Sequence, residues 1–99
     1  MTKPAYFIID VDIVDAEGMK PYQAAVDGTF RAFGGERIVA AGRVDPLEGA
    51  PPSGRIVVVR FPDMASAHAW HDSAAYRAIV GHRLKAARSR AFLVEGVEV

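Results

Sequence analysis

The chain has 99 residues, 51 % of them hydrophobic, with 12 basic and 12 acidic side chains and no cysteine. That length makes one domain over residues 1–99, and the zero net charge excludes nucleic acid as a partner, because no surplus of Lys and Arg is there to neutralise phosphates. Disulfides, thiolate chemistry and zinc–thiolate sites are excluded as well. No apolar run approaches the ~20 residues of a membrane span and no signal-peptide core is present, so a cytoplasmic protein with no membrane partner is expected.

Ala5–Ile13 reads as the first strand. Side chains alternate faces along a strand, so Phe7, Ile9, Val11 and Ile13 share an apolar face, while Tyr6, Ile8, Asp10 and Asp12 share the other. Asp15–Met19 reads as a turn or short helical entry, and Pro21 fits a first helical turn, where its missing N–H does no harm. Tyr22, Ala25, Val26, Thr29, Phe30 and Phe33 then recur with helical spacing, and Gly34-Gly35 supplies the stop. Gly28 within this helix reads as a tolerated surface glycine.

Glu36–Ala41 is the second strand and Gly42 a bend. Arg43–Gly54 carries Pro46, Gly49, Pro51, Pro52 and Gly54 and reads as a long loop, the kind of segment that serves as a binding element or an oligomer arm.

Arg55–Phe61 is the third and central strand. Ile56-Val57-Val58-Val59 is an unbroken β-branched run, which implies cover on both faces. Pro62 ends it. Val57, Val59 and Phe61 match the apolar face of the first strand; Ile56, Val58 and Arg60 match the mixed face. Read as parallel neighbours in register, these two strands place Asp10 beside Arg60. A charge on an apolar face needs a partner, so a structural Asp10–Arg60 ion pair is expected.

Asp63 is an N-cap for a helix to about His71, and Asp72-Ser73 opens another helical segment. That segment has its stripe at Tyr76, Ile79, Val80, Arg83, Leu84 and Ala87. The last strand is expected at about Arg90–Val94. The order is βαββαβ, a ferredoxin-like α+β fold with a four-stranded antiparallel sheet. Helices cover one sheet face only. Tyr6, Ile8, Ile56 and Val58 on the other face call for cover, most simply a homodimer formed through the open sheet faces.

His68 and His71 stand i, i+3 on one helix, where two imidazoles can converge on a metal, but no supporting spacing such as HExxH is present and no metal site is expected. One histidine is instead expected to line a pocket. Trp70 and Tyr76 bracket the helix break, and with Tyr22 they form a candidate aromatic wall; the competing role for Trp70 is as the main core residue. Glu48, with Arg43 nearby, is either a general base in an apolar pocket or an exposed loop acid. Arg83, Lys85, Arg88 and Arg90 form a basic cluster, read as a solvated face with the capacity to attract an anion. No nucleophile elbow supports a Ser–His–Asp triad. The candidate pocket is therefore Tyr22, Arg43, Glu48, His68, Trp70, His71 and Tyr76, with no cofactor and a small apolar or anionic ligand.

Across nearly its whole length the chain also resembles a known family. Ala5-Tyr6, Tyr22, Gly34-Gly35, Leu47-Glu48-Gly49, Phe61-Pro62, the Ala67-x-x-Trp70-x-x-Ser73-x-x-Tyr76 run, Arg83 and Val94-Glu95-Gly96 carry the match. On these residues the chain is similar to the family catalogued as domain of unknown function 1330, in the dimeric α/β-barrel superfamily. That resemblance implies a homodimer with a cavity in each subunit between sheet and helices. It also implies a choice between a cofactor-independent enzyme, monooxygenase- or isomerase-like, and a non-catalytic assembly or stress-related module with a filled core.

Overall fold

The computed structural model describes residues 2–98. The elements run β1 (Ala5–Ile13), α1 (Ala16–Arg31), β2 (Glu36–Ala40), β3 (Arg55–Phe61), α2 (Met64–His71), α3 (Ala74–Ala86) and β4 (Ala87–Glu95). The order is βαββαβ with the second helical leg broken in two.

Each helix starts where a side chain can replace a missing backbone partner. The Asp15 carboxylate accepts from the Gly18 amide at 3.1 Å, Asp63 from Ser66 at 2.7 Å, and the Ser73 hydroxyl from Tyr76 at 3.2 Å. Because Asp15 caps α1, the helix begins before Pro21, which lies inside it rather than in the first turn. The carbonyl of Glu17 loses an intrahelical donor there; both residues are exposed, so water can replace it. α1 ends at the two glycines. Gly34 has φ +78°, open to glycine at little cost, and the Gly35 amide donates back to the Phe30 carbonyl at 2.9 Å.

α3 passes directly into β4 at Ala87, earlier than the expected Arg90, and Ala87 belongs to the strand rather than to the helical stripe. The reason is pairing: β4 matches β1 along its full length, from Ala5 opposite Glu95 to Ile13 opposite Ala87.

The sheet order is β2-β3-β1-β4 and each neighbouring pair is antiparallel. The two central strands are therefore not parallel. The α1 crossover brings β2 back in the direction of β1, and the 41–54 loop then reverses the chain, so β3 enters between them against both. That reversal removes the expected Asp10–Arg60 pair. Asp10 stands opposite Ile56 on one side and Arg90 on the other, while Arg60 stands opposite Tyr6 and Glu36. Arg60 forms its ion pair with Glu36, and Asp10 is 3.4 Å from the Arg90 guanidinium.

Asp10 also holds the long loop. Its carboxylate accepts from the backbone amides of Ser53 at 3.1 Å and Gly54 at 2.8 Å. The loop comes so near β1 that a Cβ at position 54 would lie 2.3 Å from the Val11 carbonyl oxygen, which is why glycine stands there. Asp10 is only 8 % exposed, and burial pushes its carboxyl up, but the Gly54 and Ser53 amides with Arg90 outweigh this and hold it below the usual range.

The core lies between the helices and the face of Phe7, Ile9, Val11, Val59 and Phe61. Trp70 is fully buried at its centre, edge-on to Phe7 at 4.9 Å, with Phe61 at 5.2 Å and Tyr76 at 4.3 Å between ring centres. The opposite face has no helix over it among the described residues, whose extents are 41 × 37 × 16 Å. There Tyr6, Ile8, Ile56 and Val58 are partly buried, and Phe92 and Val94, opposite Ile8 and Tyr6, are 53 % and 43 % exposed.

Candidate functional site

A cavity of about 170 Å³ opens between the sheet and α1. The strand period puts Phe7, Ile9, Val11, Val57 and Val59 on its floor. The helical period puts Met19, Tyr22, Val26 and Phe30 on its roof. Trp70 and Arg83 complete the inner wall. Gln23, Arg37, Ala40, Ala41 and Arg55 are exposed and form the mouth, beside the edge strand β2.

The polar centre of this wall is a cluster of Tyr22, Tyr76 and Arg83. The two phenol oxygens are 3.2 Å apart, and Arg83 Nη2 donates to the Tyr76 oxygen at 3.3 Å. Arg83 Nη1 donates to the Ser89 hydroxyl, and the guanidinium carbon is 5.5 Å from the centre of the Tyr22 ring. Arg83 is 5 % exposed, forms no ion pair with an acid among the described residues, and leaves its Nε buried without a hydrogen-bond partner among them.

Burial pushes the Tyr22 phenol well up, and the adjoining Tyr76 phenol adds to the shift, outweighing the opposing influence of Arg83. Tyr22 is thus a protonated hydroxyl at neutral pH and no base. For Arg83 burial acts against the charge, but Tyr76 and Tyr22 outweigh it and keep the guanidinium firmly protonated.

Of the residues singled out from the sequence, Tyr22 and Trp70 line the cavity. Tyr76 is fully buried behind Tyr22 and joins the site through its hydroxyl. Trp70 is at once core and wall; its indole N–H donates to the Thr29 hydroxyl at 3.0 Å and is not free for a ligand. His68 and His71 instead face a groove between α2 and β4, with Met64 and Phe92. No group of three or more His, Asp or Glu among the described residues is placed to hold a metal. Arg43 and Glu48 stay on the exposed loop and line neither the cavity nor the groove; Arg43 pairs with Asp45 at 3.2 Å. Glu48 accordingly supplies no general base to the cavity of its own chain.

Sequence reasoning set Arg83 in a solvated basic cluster. Its place in the stripe with Tyr76, Ile79 and Val80 was the signal that it points inward. Arg37, Arg55 and Gln23 carried no such signal, since strand edges and helix flanks look alike in sequence.

The family model for the domain of unknown function DUF1330 matches residues 4–97. The chain belongs to the DUF1330 family. No curated protein matches it in sequence. Among solved structures, a protein of unknown function from Rhodopseudomonas palustris superposes on this DUF1330 chain with a TM-score of 0.75 at 19 % identity, covering 100 % of this chain and 86 % of the other. A Nitrosomonas europaea protein described as a candidate antibiotic biosynthesis monooxygenase gives 0.56 at 14 %, covering 98 % and 93 %. HapK from Hahella chejuensis gives 0.56 at 13 %, covering 96 % and 94 %. These likenesses establish the fold alone, a ferredoxin-like four-stranded antiparallel sheet with helices. No helix among the described residues is long and apolar enough to cross a membrane.

Proposed function

We propose that this DUF1330 protein is a cytoplasmic homodimer that binds one small, largely apolar molecule in each subunit. The observation that carries the reading is the cavity itself, with aliphatic floor and roof and a few polar groups gathered at Tyr22 and Arg83. An apolar chamber with a small convergent polar set is the usual form of a ligand site. The competing reading is a non-catalytic module with a filled core; the space beside Tyr22 supports the ligand-binding reading over it.

Dimerisation rests on the uncovered sheet face. Ile8, Val58, Phe92 and Val94 form an apolar surface that a second copy of the chain would bury. A catalytic form of the proposal is a monooxygenase- or isomerase-like reaction without a tightly held cofactor. The candidate monooxygenase among the structural neighbours lends that form its reaction class. In this chain it would rely on Tyr22 as a proton donor and on Arg83 to steady negative charge, since among the described residues no carboxylate or imidazole lines the chamber.

The test is a thermal-shift screen of small metabolites on the full chain. A ligand at ~100 times its Kd stabilises by about 2.7 kcal/mol, which moves the Tm of a domain this size by several degrees. Shifts by compact apolar molecules support the proposal. A chain that no member of a broad panel stabilises favours the non-catalytic module.

A further inference from the structure

We infer that the cavity selects a small apolar anion, a monocarboxylate, with Arg83 as its counter-ion. This rests on reading the cavity as a ligand site and adds the charge of what enters it. Arg83 is 95 % withdrawn from solvent, by its 5 % exposure, and has no acid partner among the described residues. A buried cation without an anion costs several kcal/mol, so such a group stays charged in a fold only when something compensates it. Tyr22, Tyr76 and Ser89 offer hydroxyls and a ring face, which solvate the guanidinium but carry no charge to balance it.

Hydrogen-bonding capacity points the same way. A guanidinium has five N–H donors; Tyr76 and Ser89 take two, and the Nε–H, buried beneath the cavity surface, has no partner among the described residues. The Nη donors left over are therefore those open to a ligand, whose binding the Nε–H senses through the shared guanidinium. A carboxylate accepts from an arginine in pairs, which a neutral amide or alcohol cannot match. The lining as a whole agrees: three arginines, Arg37, Arg55 and Arg83, and no acid. Arg37 is already paired with Asp27, which leaves Arg55 to attract an anion at the mouth and Arg83 to hold it inside.

Size and polarity define the rest of the molecule. A cavity of ~150 Å³ accommodates benzene, so about 170 Å³ fits one ring or a short alkyl chain. Phe7, Val26 and Val59 provide it with apolar contact. The class is thus an aromatic or short-chain monocarboxylate, with its carboxylate toward Arg83.

The test compares benzoate with benzamide, equal in shape and different in charge, by calorimetry and by NMR of the Arg83 Nε–H, assigned through its loss in Arg83→Lys. Benzoate is expected to bind on the order of tenfold more tightly, as a charge-assisted bond predicts, and to shift the Nε–H resonance. In Arg83→Met the preference for benzoate over benzamide should vanish; Arg83→Lys should recover part of it. Should Arg83→Met fail to fold, the wild-type resonance and the lysine variant still decide. Equal binding of both probes, with shifts confined to the cavity, overturns the anion selection and leaves the ligand site standing. A benzoate preference that survives in both variants overturns Arg83 as counter-ion. Absence of cavity shifts with either probe overturns the ligand-site reading and this inference together.

Discussion

The hydroxyls of Tyr22 and Tyr76, 54 residues apart in sequence, meet 3.2 Å apart under the contact of α1 with α3, and Arg83 donates to the second of them. The two phenols are not equivalent. Tyr22→Phe removes one hydrogen bond and leaves Tyr76 still bonded to Arg83, at a cost of about 1 kcal/mol. Tyr76→Phe also takes an acceptor from a buried guanidinium, at about 1–3 kcal/mol. Urea unfolding, with m unchanged, should rank Tyr76→Phe as the more damaging of the two. The reverse order would mean that Tyr22 holds the cluster.

The Asp10 carboxylate binds the end of the long loop to β1, and its carboxyl titrates below the ordinary value. A folded pKa beneath an unfolded pKa of about 3.9 favours the folded chain above that pH, and the advantage is lost as the pH falls through the folded value. Asp10→Asn should flatten the acid limb of stability against pH. It should also speed hydrogen exchange at the Ser53 and Gly54 amides. Acid limbs of equal slope in the two chains would show that Asp10 does not anchor the loop.

Ile8→Asp or Val58→Asp puts a charge on the open sheet face without touching the helix side. Each is expected to yield monomer or aggregate in light scattering. The test compares each variant with the wild-type mass: a wild-type monomer overturns the proposed homodimer, and a variant that keeps a wild-type dimer's mass places the subunit contact elsewhere.

Trp70→Ala leaves a void among Phe7, Phe61 and Tyr76 and deprives the Thr29 hydroxyl of its donor. A loss of about 3–5 kcal/mol is expected, a large part of the 5–15 kcal/mol of a typical domain. Calorimetry measures it as a fall in Tm. A change near zero would remove Trp70 from the centre of the core.

Period and punctuation made the fold largely readable: the alternation in Ala5–Ile13, the β-branched run Ile56–Val59, the caps Asp63 and Ser73, and the stop at Gly34-Gly35 all stand where their chemistry puts them. Strand direction was not readable from those marks. A strand shows the same two faces whichever way it runs, so Asp10 and Arg60 were matched by face and missed by register. Asp15–Met19 read equally as a turn or a helical entry, because Pro21 is a local first-turn signal; the Asp15 cap makes it the start of α1. At the site, Tyr22 declared itself as an aromatic on a helical stripe and Trp70 as one beside the helix break. Arg83 shared a stripe with Tyr76, Ile79 and Val80, but its basic neighbours Lys85, Arg88 and Arg90 suggested a wet surface, and the packing of α3 on α1 and the turn into β4 close over it. Arg43 and Glu48 lay in a segment whose composition marks a loop without saying where it rests.

β2 is exposed at every residue, carries an irregularity in its ladder between Arg37 and Val39, and is held on one side only, by β3. The chamber's doorway lies beside it, at Ala40 and Ala41. A guest of the proposed site, entering there, would disturb a single ladder, whereas opening the far wall would unseat Trp70. On that proposal traffic and structural integrity fall at opposite ends of one small chamber, and its threshold could be remodelled by substitution while the aromatic keystone stays in place.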